Sequence, residues 1–163
     1  MLEYKPENPI AFGELPKVEY DLRGVINELV REASFLSLGK KLKVSLPDEP
    51  VYLVGQKSLV QRAISNFLNN ANEATEAKGS NLTVSLQLIK ETDGKIILTI
   101  SDTGPGLSAG QLEQLKRQGF LKTSKPDGHG LGLKNSIQFL RDNGFEINFK
   151  LNSPTGLIVE ILN

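Results

Sequence analysis

The sequence predicts an α/β (α+β) two-layer sandwich, in which a mixed, mainly antiparallel sheet is covered on one face by helices. Three observations point there. Stretches whose apolar residues recur with a period near 3.6 interrupt stretches that alternate with a period of two, so helices are interleaved with strands. Two strand pairs are joined by short connections, Leu82–Lys90 with Lys95–Ser101 and Phe145–Leu151 with Gly156–Leu162, as in hairpins. The length of 163 residues, with 39% hydrophobic and 23% charged side chains, suits one compact domain with its own core.

In chain order, residues 1–16 hold three prolines and little periodicity and read as a linker or N-terminal arm, leaving 17–163 for the folded domain. From Asp21 the apolar positions Leu22, Val25, Ile26, Leu29, Val30 and Ala33 predict an amphipathic helix ending near Gly39. Leu42, Val44 and Leu46 alternate with polar residues as in a half-buried strand, and after the Pro47–Pro50 turn comes the short apolar run Val51 to Val54. A second helix over about Lys57 to Ala77 buries Leu59, Val60, Ala63, Ile64, Phe67, Leu68, Ala71 and Ala74 and is stopped by Lys78-Gly79-Ser80-Asn81. The first hairpin turns at Thr92-Asp93-Gly94. Residues 102–129 are rich in Gly, Pro, Lys and Ser, with one helical piece near Ala109–Arg117, and a loop of that length in a small domain is usually functional. A third helix, about Leu131 to Asp142, is closed by Asn143-Gly144 and leads to the second hairpin.

Composition removes several classes of function. Lys+Arg and Asp+Glu number 19 each, so no global charge favours nucleic acid or an anionic membrane surface. Without cysteine there is no disulfide, zinc-thiolate site or thiol nucleophile, and a single histidine excludes a multi-histidine metal site. No stretch approaches the roughly 18–20 apolar residues of a membrane helix. The expectation is a soluble, cytoplasmic domain, monomeric when isolated and without direct membrane contact, which leaves a membrane-anchored parent open.

Three constellations carry chemistry. On the second helix, Asn66, Asn70 and Glu73 share a stripe, because four residues advance about 400° and seven about 700°. Two asparagines at i, i+4 make either a hydrated polar face or a pair of carboxamide oxygens for a magnesium ion that keeps water and phosphate as its other ligands. Asp102-Thr-Gly104-Pro-Gly106 follows an apolar strand; it is either a turn or a carboxylate placed to accept from an exocyclic amine, with glycines that let a planar base approach the backbone. Gly128-His-Gly130-Leu-Gly132-Leu133 runs into the third helix, where free N–H groups and the helix dipole attract phosphate. The spacing is neither a dinucleotide fingerprint nor a Walker loop.

Taken in order, Asn66…Asn70, Asp102-x-Gly104-x-Gly106 and Gly128-x-Gly130-Leu-Gly132-Leu133 resemble the N, G1 and G2 boxes of histidine kinases. Those kinases belong to the GHKL superfamily, shared with gyrase, MutL and the large heat-shock chaperone. The resemblance covers about residues 18–162. It implies the Bergerat fold, with ATP held under a flexible lid, and ATP and Mg²⁺ as the groups bound. On that resemblance Asn70, with Asn66, coordinates Mg²⁺, Asp102 binds the adenine amine, and the Gly128–Gly132 amides hold phosphate. It extends the nucleotide-binding set to Glu73, Gly104, Gly106, Leu107, His129, Gly130, Leu131, Gly132 and Leu133. Phe120 and Thr123-Ser124-Lys125 resemble the F box and the Thr-Thr-Lys before G2, which makes Lys125 a candidate γ-phosphate contact or else an exposed lid lysine.

One position separates the subfamilies. Gyrase, MutL, the chaperone and the anti-sigma serine kinases resemble one another in carrying Glu four residues before the magnesium Asn, where it can act as general base. This chain has Asn66, which takes no proton at neutral pH, and so follows the histidine kinases. Two features depart from their pattern: Glu73 stands where a basic residue is common, and Leu121-Lys122 stand where a second aromatic is common. His129, the single histidine, lies between two glycines and forms no helical His-Glu or His-Asp pair, and it is not the phosphoacceptor. The resemblance therefore implies a kinase catalytic domain that gives its phosphoryl group to a histidine on a separate dimerisation domain, ahead of a response regulator. The alternatives are an anti-sigma-type serine kinase and a non-catalytic nucleotide-binding scaffold.

Overall fold

The computed structural model describes residues 15–34, 42–76, 83–118 and 129–163, with the backbone alone for 34, 76 and 129–131. These form seven strands and four helices: β1 (Val18–Asp21), α1 (Leu22–Ser34), β2 (Leu42–Ser45), β3 (Tyr52–Gly55), α2 (Lys57–Glu76), β4 (Val84–Lys90), β5 (Ile96–Asp102), α3 (Ala109–Gln118), α4 (His129–Asp142), β6 (Glu146–Leu151) and β7 (Leu157–Leu162).

The main sheet has the order β2-β4-β5-β7-β6; β2 runs parallel to β4 and every other pairing is antiparallel. Its two faces differ because side chains alternate along a strand. Val84, Leu86 and Leu88 register with Asp102, Ile100 and Leu98, and on the far side of β5 Ile100 and Leu98 register with Val159 and Ile161; all are buried. Ser85, Gln87, Thr99 and Ser101 alternate onto the opposite face, where Lys150 pairs with Glu160. Among the described residues the helices pack on the first face, as expected.

The first helices begin where a side chain or carbonyl meets their free N–H groups. Asp21 caps α1: its Oδ1 accepts from Arg23 N at 3.0 Å and also from Val51 N at 2.9 Å, tying the helix start to the chain before β3. The Gln56 carbonyl accepts from Leu59 and Val60 at the start of α2. The stripes of α1 (Leu22, Val25, Ile26, Leu29, Ala33) and α2 (Val60, Ala63, Ile64, Phe67, Leu68, Ala71) meet the sheet in one core, to which α4 adds Ile137 and Leu140. The Phe67 and Phe149 rings sit 6.3 Å apart, tilted by 52°, and join α2 to β6.

The structure changes the sequence reading in three places. Residues 18–21, assigned no strand from the pattern, pair antiparallel with β3 as a separate two-stranded sheet. The helix expected from Leu131 starts at His129, so Gly130 lies inside its first turn rather than before it. The Gly- and Pro-rich segment 102–129 is not wholly a free loop. Its first part is anchored, since Leu115 of α3 is 1% exposed and Leu107 and Leu112 pack against the core. Residues 119–128 lie outside the described residues.

Candidate functional site

The stripe expected on α2 faces a cleft. Asn66, Asn70 and Glu73 line it together with Gly132 and Leu133 from the start of α4, around a space of about 340 Å³. Asn69 and Asn72 also line it, and the sequence reading had passed over both. The reason α2 can present four asparagines to one side is that its packing stripe already supplies the burial, with Ala63, Ile64, Phe67 and Leu68 no more than 3% exposed. A Cβ built at Gly132 would meet nothing within 4 Å, so the glycine opens the cleft rather than easing a helix contact. Gly132 and Leu133, early in α4, border this cleft, so the positive end of the α4 dipole lies on its side.

Asp102 ends β5 and is 5% exposed. Its Oδ1 accepts from Gly104 N at 2.9 Å. Burial raises its carboxyl above the ordinary value, and hydrogen bonds from the Gly104 and Leu157 backbones pull it partly back. The loop after it is wedged between two elements. On one side a Cβ at Gly104 would stand 2.8 Å from the Ala74 carbonyl oxygen of α2, one residue past Glu73. On the other side lies the β6–β7 turn. Asn152 Nδ2 donates to the Asp102 carbonyl at 2.8 Å, and a Cβ at Gly156 (φ +120°) would fall 1.9 Å from that same oxygen. Gly106, at φ +70°, packs against the Gly156 backbone. Asn152, Gly156 and Leu157 were missed from sequence; the only signal there was a Thr-Gly before the last strand.

The carry-over is thus distributed. Asn66, Asn70, Glu73, Gly132 and Leu133 share one cleft. Asp102 and Gly104 are buried, Gly104 against the end of α2 and Gly106 against the Gly156 backbone, and Leu107 packs towards the core. His129, Gly130 and Leu131 are placed only as the first residues of α4. Phe120, Thr123, Ser124, Lys125 and Gly128 lie outside the described residues.

Asn70 and Asn66 offer amide oxygens. Among the described residues no three His, Cys, Asp or Glu gather into a cation site, so a metal here would complete its shell with phosphate and water, which suits magnesium.

Residues 55–162 match the family described as histidine kinase-, DNA gyrase B-, and HSP90-like ATPase. The chain belongs to this ATPase family. The ATPase domain is 33% identical over 116 residues to the C4-dicarboxylate transport sensor protein DctB of Rhizobium meliloti, covering 71% of this chain and 18% of that protein. It is 30% identical over 141 residues to the heme sensor protein HssS of Staphylococcus aureus, covering 80% of this chain and 30% of the relative. The chain therefore spans less than a third of these curated relatives. Among solved structures, the mycobacterial sensor histidine kinase MprB superposes with a TM-score of 0.72 at 23% identity, covering 90% of this chain and 96% of that one. The catalytic domain of histidine kinase ThkA gives 0.73 at 20% identity, covering 90% and 94%. The ATPase fold of this chain is thus that of histidine-kinase catalytic domains. Among the described residues no helix is long and apolar enough to cross a membrane.

Proposed function

We propose that this ATPase domain binds Mg·ATP in the α2–α4 cleft and donates the γ-phosphoryl group to a histidine on a separate dimerisation domain, in two-component signalling. The observation that supports the reading is an amide pair on α2 facing a glycine early in α4 across one cleft, with the loop after the buried Asp102 packed against the end of the same α2. Asp102 would accept from the adenine amine, a contact that guanine, with a carbonyl there, does not offer. The α4 N–H groups would hold phosphate. Asn70, with Asn66, would hold Mg²⁺, which supplies charge neutralisation along the phosphates when bound. Glu73 lines the same wall, and a carboxylate there suits the cation rather than the phosphate.

Phosphoryl transfer rests chiefly on positioning and charge stabilisation. This chain positions the donor. Asn66 cannot remove a proton, so the reading assigns the acceptor and any base to another domain, with a response regulator downstream and a cytoplasmic location. The similarity to DctB and HssS favours this over the anti-sigma serine kinase, as does the amide at position 66.

Calorimetric titration tests the nucleotide assignment. A hydrogen bond to a charged acceptor contributes about 1.5–3 kcal/mol, so Asp102→Ala should weaken ATP binding roughly ten- to a hundredfold, and the wild type should prefer ATP to GTP. Equal affinity for ATP and GTP, or no loss in the variant, would refute it.

A further inference from the structure

Ser136 lies at the α2–α4 interface with 0% exposure. A buried hydroxyl is costly unless it is bonded, and this one makes two bonds of 2.8 Å. It donates to the Gly132 carbonyl one turn earlier in α4, and it accepts from Asn66 Nδ2 on α2. A serine hydroxyl has a single proton. With that proton committed to Gly132, Oγ can only accept from Asn66, so the end of the amide facing Ser136 has to be its –NH₂. One of the two flip states of the Asn66 amide is thereby selected, and Oδ1 is turned away from Ser136. Asn66 and Gly132 both line the cleft.

We propose that Ser136 is a positioning residue that holds Asn66 with its carbonyl oxygen, not its –NH₂, as the atom offered to the cleft, and locks that amide to the glycine at the start of α4. The consequence is chemical. An amide oxygen takes a cation or a water of its hydration shell, whereas an amide nitrogen takes a phosphate oxygen. Set this way, Asn66 works beside Asn70 on the metal side of the nucleotide. An aliphatic side chain at 136 could fill the interface but would leave the amide free to turn. The inference rests on the cleft being the Mg·ATP site.

A double-mutant cycle tests it. The 163-residue chain, Ser136→Ala, Asn66→Ala and the double variant are titrated calorimetrically with Mg·ATP and with ATP in excess chelator. Ser136→Ala should weaken Mg·ATP binding about two- to tenfold, the worth of a neutral hydrogen bond. It should leave metal-free ATP within about twofold and have no further effect once Asn66 is alanine. An equal loss with and without metal, or an equal loss in both Asn66 backgrounds, would overturn the proposal. Should Ser136→Ala not fold, the wild-type chain supplies a second readout by NMR. The Asn66 side-chain amide protons should exchange slowly with solvent, and exchange as fast as in an exposed asparagine would overturn the lock. A wild-type chain that binds no ATP in either condition refutes the nucleotide reading itself, whereas binding with an uncoupled Ser136→Ala refutes only this inference.

Discussion

Replacing Gly156 by alanine should damage the nucleotide site from outside the cleft. The added Cβ would fall 1.9 Å from the Asp102 carbonyl oxygen and 2.7 Å from its carbon. Both are backbone atoms, so no side-chain rotation relieves the overlap, and the end of β5 has to move. A second cost is conformational: Gly156 sits at φ +120°, a region essentially closed to residues with a Cβ, worth about 1–3 kcal/mol. Relieving the overlap adds about 1–3 kcal/mol. At about 2–4 °C of Tm per kcal/mol for a domain of this size, the variant should melt roughly 5–20 °C lower. The shift displaces the carbonyl that Asn152 holds at 2.8 Å and with it the Asp102 carboxylate. ATP affinity should therefore fall about tenfold or more at temperatures where the variant is still folded. Scanning calorimetry gives the first number and titration calorimetry the second. A Tm within about 2 °C of wild type, with unchanged affinity, would refute the claim that the β6–β7 turn holds Asp102 in place.

Two further outcomes follow from the same geometry. Asn70→Ala should cost far more affinity for Mg·ATP than for metal-free ADP, and a parallel fall in both would make Asn70 structural. Leu115→Ala should destabilise by about 2–5 kcal/mol, as for a leucine emptied from a packed core, and should open α3 to tryptic cleavage at Lys116 and Arg117. Wild-type resistance in the variant would mean that α3 is not anchored by this side chain.

Most of the fold was legible because its elements are long and strongly periodic. The α2 stripe, the β4–β5 alternation and the closing hairpin follow from apolar spacing alone, and the structure shifts their ends by only a residue or two. β1 was not legible: it has four residues, of which only Tyr20 is buried and Val18 is 42% exposed, so no alternation could develop. The packing of α3 was not legible because Leu107, Leu112 and Leu115 sit among glycines and charges, a density of apolar residues too low to signal packing that β6 and the core provide from a distance. For the site, the motifs fixed which side chains of α2 and which strand end matter, since identity and spacing are local. The supports of Asp102 were invisible, because Asn152 and Gly156 act through backbone contacts 50 residues or more away. Ser136 escaped for a similar reason: a serine inside a helix has no periodic signature, and its meaning comes from Asn66 across the interface.

The central claim is that this chain supplies the donor half of a phosphoryl transfer whose acceptor lies elsewhere, and its most direct test is incubation with ATP labelled at the γ-phosphate. Alone, the domain should take up no stable label and hydrolyse ATP only slowly, because no base stands at position 66. Mixed with the histidine-bearing dimerisation domain of its parent, it should place the label on that histidine as a phosphoramidate, labile in acid and stable in base. Acid-stable phosphoserine on a partner, or brisk hydrolysis by the domain alone, would contradict the account.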